Sequence, residues 1–248
     1  MLQKIANTIA YAAEDHRVGR ALVGPGFIAV ELENGTVGLS ANIALSQTQG
    51  CTIFPDAGTL AGSRASDVLK LVSRGDFLSR ELALATVNAL INTLHPAPFG
   101  DAFDHIEIRP RQRAVIVGLI EPVARMLTEK GCTVSIFENR PVLHPQVESH
   151  EMMPARIREA DIVVLSGTTL INATIEEILA MPSPAKAWVL MGPSTPMIPE
   201  AFSRTPVTHL AGARILDNER AFTLLMEGGG TKELYHSGTM KKVTQEVR

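Results

Sequence analysis

From residue 113 onward the chain alternates short apolar runs with segments of helical spacing, and no other feature restricts its fold so tightly. Ala114-Val115-Ile116-Val117-Gly118 reads as a buried strand. A helix follows over 122–130, with Pro122 near its first turn and Gly131 at its end, the favoured asymmetry of helix termini. Cys132-Thr133-Val134-Ser135-Ile136-Phe137 is the next strand, residues 153–160 a short helix, and Ile162-Val163-Val164-Leu165 a third strand. Ala187-Trp188-Val189-Leu190-Met191 is the fourth, with 207–210 and 214–216 as shorter candidates, and a helix over 218–227 stops at Gly228-Gly229-Gly230. Strands that alternate with helices pair in parallel through right-handed crossovers. The expected class is α/β: a Rossmann-like layered domain with a mostly parallel sheet.

The preceding residues follow another plan. A helical pattern over 3–16 places Ile5, Ile9, Ala12 and Ala13 on one side. Two strand-like runs, 26–32 and 36–39, flank Glu33-Asn34-Gly35, and Asn-Gly between apolar runs is a strong hairpin signal because both residues tolerate positive φ. Residues 46–64 read as a loop, and two helices are expected over 65–73, stopped by Gly75, and over 78–94. Pro96, Pro98, Gly100 and Pro110 mark a linker. The expected domains are an α+β module over 1–97 and the Rossmann-like domain over 98–248.

Bulk properties exclude several function classes. The net charge of the 248 residues is -3 with no basic run, and aromatic residues are 4%, so neither clustered cations nor stacking platforms for nucleic acid are present. No apolar run reaches the ~18 residues of a membrane span. The two cysteines, Cys51 and Cys132, are far apart and indicate neither a metal-type pair nor a disulfide framework. The expectation is a cytoplasmic protein with a small-molecule ligand, no nucleic-acid or membrane partner, and homodimerisation as the common oligomeric state.

In an open α/β sheet, ligands bind where the strands end at the carboxyl edge. That edge would gather Gly118, Glu138, the run Ser166-Gly167-Thr168-Thr169-Leu170-Ile171-Asn172-Ala173-Thr174, and Gly192-Pro193-Ser194-Thr195. Hydroxyls, an amide and backbone N–H groups suit a polar small molecule. Thr168 and Thr169 equally suit helix capping, and Thr174 with Glu177 fits a capping box. Glu138, 20 residues beyond Gly118, stands where an acid grips a ribose in nucleotide-binding sheets, or is a solvated strand end. The turn Gly118-Leu119-Ile120-Glu121-Pro122 lacks G-x-G-x-x-G and puts a carboxylate where a pyrophosphate would want helix N–H groups, so no dinucleotide is expected. Gly228 and Gly229 form either an anion-holding nest or a helix C-cap. His144, Glu148, His150 and Glu151 supply imidazole and carboxylate for a transition metal, at a spacing that matches no standard signature. Ser194 has no identifiable base and reads as a ligand-contacting hydroxyl rather than a nucleophile.

The run 166–174, Met191-Gly192-Pro193-Ser194-Thr195-Pro196 and Glu227-Gly228-Gly229-Gly230 together resemble the heavy-metal chelation domain family, long known only as a domain of unknown function. Gly58-Thr59-Leu60-Ala61-Gly62 and Val87-Asn88-Ala89-Leu90 resemble its companion N-terminal region. The resemblance implies an enolase N-terminal-like α+β domain, a Rossmann-like domain with partial likeness to methyltransferases, and a cleft between them. It implies handling or making of metal-chelating small molecules that are pterin-, flavin- or siderophore-like. Asn88, Gly58 and Leu60 would be the N-terminal contributions. A transition metal or metal chelate would be the bound group. Two departures are Ala173, where Gly is expected, and Leu119-Ile120-Glu121-Pro122 in place of a Phe-Pro turn. The expectation is an enzyme acting on a polar heterocycle in an interdomain cleft. The alternative is a non-catalytic carrier of a metal or metal chelate, using His144, Glu148 and His150.

Overall fold

A computed structural model describes residues 1–46 and 53–247; Cys51 and the first part of the expected 46–64 loop lie outside them. The chain forms two sheets with helices between and around them. The N-terminal sheet is antiparallel, in the order β1 (Val18–Val23), β2 (Phe27–Leu32), β3 (Val37–Ala41). Gly35 closes the β2–β3 hairpin at φ 83°, as the Asn-Gly signal requires. Against this sheet lie α1 (Leu2–Ala13), α2 (Ala65–Lys70) and α3 (Phe77–Leu94). The Asp76 carboxylate caps α3 by accepting the Ser79 N–H at 2.8 Å.

The larger sheet has the order β5-β4-β6-β7-β8-β9. Its strands are β4 (Arg113–Val117), β5 (Thr133–Phe137), β6 (Ile162–Ser166), β7 (Ala187–Met191), β8 (His209–Ile215) and β9 (Met240–Glu246). Pairing is parallel from β5 to β8, and β9 closes the edge antiparallel. Alternate residues feed two buried faces. Val115, Val163, Leu165, Trp188 and Leu190 face one core, and Ile116, Ile136, Val164 and Val189 the other. On the second face lies α4 (Glu121–Glu129) through Val123, Ala124 and Leu127. The first is covered by α5 (Met153–Arg158), α6 (Thr168–Ile171) and α7 (Ile175–Leu179), and by α3 from the N-terminal module. The chain finishes with α8 (Asn218–Met226), α9 (Thr231–His236) and β9.

Three local readings need correction. The two short strands expected over 207–210 and 214–216 are the single strand β8, in which Gly212 lets the Met197 side chain approach: a Cβ there would lie 2.7 Å from its sulfur. The segment 168–171 is a helical turn of its own. The Thr174–Glu177 capping box does not form, because the Thr174 hydroxyl donates to the Asn172 side-chain oxygen at 2.8 Å. Among the described residues no helix is long and apolar enough to cross a membrane.

The two modules share their cores. Phe27, Ala29, Val37 and Leu39 project from the N-terminal sheet into one buried cluster with Phe222 and Leu225 of α8. Their sequence neighbours Ile28 and Val30 pack on α2 and α3 instead. The three-stranded sheet is thus held between its own helices and those of the second module. At its tightest point Gly38 meets α3, where a Cβ would lie 2.1 Å from the Ala85 carbonyl oxygen.

Candidate functional site

The strand order changes direction at β4, with β5 on one side and β6 on the other, so the carboxyl ends of β4 and β6 flank the topological switch point where such sheets bind ligands. Close approach of three turns builds this edge. Gly118 follows β4 at φ 85°, and a Cβ there would lie 2.6 Å from that of Ser166. Gly167 follows β6 against the next turn, where a Cβ would lie 2.8 Å from the Ser194 carbonyl carbon. Gly192 follows β7 at φ 114°, and a Cβ there would meet nothing within 4 Å. Each glycine N–H is taken by a neighbouring strand: Gly118 donates to the Phe137 carbonyl, Gly167 to Met191 and Gly192 to Ala211, at 2.7, 2.8 and 2.9 Å.

Side chains between these turns form a short polar network. The Ser166 Oγ accepts from the Thr168 hydroxyl at 2.9 Å and from its N–H at 3.3 Å. The Thr169 hydroxyl, buried, donates to the Ser166 carbonyl at 2.8 Å. Asn172 uses its side-chain oxygen to hold the N–H and hydroxyl of Thr174, while its NH2 bonds no described residue. Ser166, Thr168, Asn172, Gly192 and Pro193 stay half-buried and accessible.

Ser194 points the other way, into the seam between modules, and Thr195 beside it is buried. The Ser194 Oγ accepts the Ala41 N–H from the end of β3 at 2.8 Å. Asn88 of α3 donates to the Leu39 carbonyl at 2.8 Å and to the Pro193 carbonyl at 3.3 Å. Asn88 and Thr195 are only 6% and 2% exposed, yet among the described residues the Asn88 Oδ1 and the Thr195 hydroxyl have no hydrogen-bond partner. Buried polar groups are nearly always paired, with protein, with ordered water or with a bound molecule.

Glu138 lies beside the switch point with both carboxylate oxygens engaged. It accepts the Leu119 N–H at 3.0 Å, the Arg140 N–H at 3.0 Å, and the Arg140 guanidinium. Burial alone would raise its pKa, but the Arg140 side chain and these N–H groups outweigh it and hold the group below the usual carboxylate range. Glu138 is an ionised acceptor that braces the first turn.

The remaining expected residues are dispersed. Gly228 and Gly229 end α8 in a Schellman motif: Gly229 donates to the Leu224 carbonyl at 2.7 Å and Gly228 to that of Leu225 at 3.2 Å. The Gly230 N–H donates to Glu233 at 2.9 Å. These N–H groups are thus taken up in helix ends, with Gly228 beside Pro25. A Cβ on Gly58 would meet nothing within 4 Å. Leu60 packs on the cluster between the small sheet and α2. His144 pairs with Glu121 at 3.3 Å, Glu148 with Ser135 and Arg156, and His150 lies against the Phe137 ring. Among the described residues no three His, Cys, Asp or Glu side chains converge for a metal. The donor set for a bare ion held by protein side chains alone is therefore not assembled there.

Two neighbours of the site escape a periodicity reading. Arg80 donates to the Leu170 carbonyl at 2.9 Å, tying α3 to the end of α6, and its buried Nε has no partner among the described residues. Glu81, 0% exposed, accepts the N–H groups of Ile43 and Ala44 at 2.7 and 3.0 Å, and its second oxygen has no partner among the described residues. Burial pushes its pKa to about 7 despite those two bonds. The signal was present: Arg80-Glu81 is the only charged pair in the otherwise apolar and neutral run 77–94.

Comparison with known proteins places this geometry. A family model described as "Putative heavy-metal chelation" matches residues 101–244, and a companion model of the same description matches residues 6–91. An uncharacterised protein of Methanocaldococcus jannaschii is 30% identical over 186 residues, covering 73% of this chain and 71% of the relative. A crystal structure from Pyrococcus horikoshii, of unknown function, superposes with a TM-score of 0.83 at 25% identity over 100% of both chains. One from Desulfitobacterium hafniense gives 0.80 at 23% identity over 99% of this chain and 98% of the other.

Proposed function

Because the chain belongs to the heavy-metal chelation family, we propose that it binds, and acts on, a metal-chelating polar heterocycle at the seam between its two modules. The orphaned pair Asn88 Oδ1 and Thr195 Oγ carries this reading. Thr195 belongs to the Gly192–Thr195 turn and Asn88 bonds the Pro193 carbonyl of that turn, while the accessible hydroxyls and amide of Ser166, Thr168 and Asn172 lie on the adjoining turn. A pterin-, flavin- or siderophore-like molecule presents the matching ring donors and acceptors, and open space above Gly192 accommodates a planar ring. Any metal would arrive inside its chelator, because His144, Glu148 and His150 are each engaged elsewhere. A second reading, a carrier that binds a metal chelate without turnover, is favoured by Glu138, whose ionised carboxylate is fully occupied and leaves no proton donor at the switch point.

Native mass spectrometry with elemental analysis of the freshly purified protein is the first measurement. An organic mass of a few hundred daltons without metal supports the enzyme reading, and a stoichiometric metal with a chelator supports the carrier. Titration with a pterin, riboflavin and a hydroxamate chelator then tests the residues. Loss of one hydroxyl bond in Thr168→Val should weaken binding about fivefold to tenfold, with stability lowered by no more than about 1 kcal/mol. Unchanged affinity in both Thr168→Val and Ser166→Ala would remove this edge from consideration.

A further inference from the structure

A second concave surface lies at the opposite, amino edge of the large sheet. It is a groove of about 560 Å³ where β4, β6, β7 and β8 begin, with Gln112, Ile162, Ala187 and His209 at its base. The volume falls within the range of small-molecule sites, roughly 300–1,000 Å³. The wall is Arg109-Pro110-Arg111-Gln112, a turn with proline second and a residue at φ 70° third. That third position ordinarily takes glycine. Here it holds Arg111, so the backbone accepts left-handed strain while a guanidinium lines the groove. The turn is pinned from three directions. The Gln112 side chain accepts the Arg109 N–H at 2.7 Å, Arg111 donates to the Gly131 carbonyl at 2.8 Å, and Gln112 donates to the Arg109 carbonyl at 3.4 Å.

Charge in the groove is unbalanced. Glu107 accepts both guanidinium N–H groups of Arg109 at 2.8 Å, and lies within electrostatic reach of Lys186 as well. Asp161 accepts the Arg113 backbone N–H at 2.8 Å. Arg111 and Lys186 have no ion-pair or hydrogen-bonding side-chain partner among the described residues. Burial pushes the His209 pKa down, Glu246 of β9 works against that shift, and His105 adds to it. Three fixed cations and two imidazoles thus meet two carboxylates, both already engaged.

We propose that this amino-edge groove binds a small polyanion, a phosphate ester or a polycarboxylate, with Arg111 and Lys186 as its principal contacts and His105 as a further donor, the His209 Nδ1 being engaged with the Thr208 hydroxyl. The anion supplies the missing counter-charge, and the pinned turn holds Arg111 ready for it, which lowers the ordering cost of binding. This site is separate from the seam between modules and stands or falls without it.

The test is calorimetric titration of the full chain with pyrophosphate and, separately, with citrate, at about 150 mM salt where exposed charges are largely screened. Saturable one-to-one binding is expected. Preference for pyrophosphate assigns a phosphate ester, and preference for citrate a polycarboxylate. Arg111→Gly relieves the backbone strain, so its melting temperature should hold or rise while affinity falls about tenfold, the loss of one charge-assisted contact. Lys186→Ala should weaken binding similarly, and Lys4→Ala, on a remote face, should not. The proposal is overturned if neither anion saturates, or if Arg111→Gly and Lys186→Ala leave affinity within about twofold of the parent.

Discussion

Glu81 sets the clearest pH dependence in the molecule. In the unfolded chain its carboxyl titrates near the ordinary glutamate value of 4.5, and in the fold at about 7. Between those values the unfolded chain has released the proton that the native protein still holds. Stability therefore falls as pH rises through that window, and the penalty is complete above it. At roughly 1.4 kcal/mol per pH unit the penalty is at most about 3 kcal/mol, less after relaxation around the charge. Glu81→Gln keeps the shape and the acceptor facing Ile43 and Ala44 without the charge. Denaturant melts from pH 5 to 8 should show the parent losing stability relative to the variant as pH rises. Parallel profiles would mean that Glu81 is ionised without penalty. Glu138 illustrates the opposite balance. It too is largely buried, but Arg140 and two N–H groups hold it ionised, so the two acids part company through partners rather than depth.

At the scale of elements, legibility followed how one-sided each environment is. The strands β4 to β7 are buried on both faces, and apolar runs, unbroken in β4, β6 and β7 and interrupted by Ser135 in β5, announced them. The edge strand β9, Met240-Lys241-Lys242-Val243-Thr244-Gln245-Glu246, carries lysines that suit an exposed edge, and its two buried apolar residues, Met240 and Val243, are too few and too far apart to form a run. The strand β1 also passed unread, since Gly19 and Arg20 interrupt its apolar run and most of it is only half-buried. The turn between α6 and α7 was legible in its residue types but not in its geometry: small polar residues announced a tight bend, and the bend includes one further helical turn. Ala173 lies in that bend at φ 63°, the left-handed region that disfavours a Cβ. The expectation of glycine at that position was therefore sound conformationally. Ala173 is exposed, so Ala173→Gly changes little but backbone strain. It should raise stability by about 0.5–1 kcal/mol, net of the added freedom of the unfolded chain, and so raise the melting temperature by about 1–4 °C. A lower melting temperature would show that the methyl makes a contact worth more than the strain.

For the molecule as a whole, the sequence boundary near residue 97 separates two grammars, and it does not separate two cores. The change from hairpin and paired helices to strand–helix alternation was readable because each grammar is local. The packing of one module on the other was not, because it depends on residues distant in sequence that show only ordinary apolar periodicity. Phe27, Ala29 and Leu39 read as one face of a hairpin, and nothing near them reveals that α8, nearly 200 residues later, covers that face. Likewise α3 is apolar almost all round, as befits a helix buried on every side. Leu84, Val87 and Leu90 belong to the same cluster as Leu165, Leu170 and Leu190 of the second module. Separating the modules would expose that shared surface and break the Ser194–Ala41 and Asn88–Pro193 hydrogen bonds. Neither half should then be stable alone, and heat should unfold both together. Scanning calorimetry of the full chain should give one transition with equal calorimetric and van't Hoff enthalpies. A fragment of residues 1–97 should lack cooperative melting. Two resolved transitions, or a fragment that melts cooperatively, would mean that the modules are energetically separate. In that case opening of the seam becomes an ordinary motion of the protein, and a molecule satisfying Asn88 and Thr195 could enter without partial unfolding. If unfolding is a single event, entry must proceed from the accessible side at Ser166, Thr168 and Gly192. Ligand saturation would then raise the one melting temperature and leave the transition single.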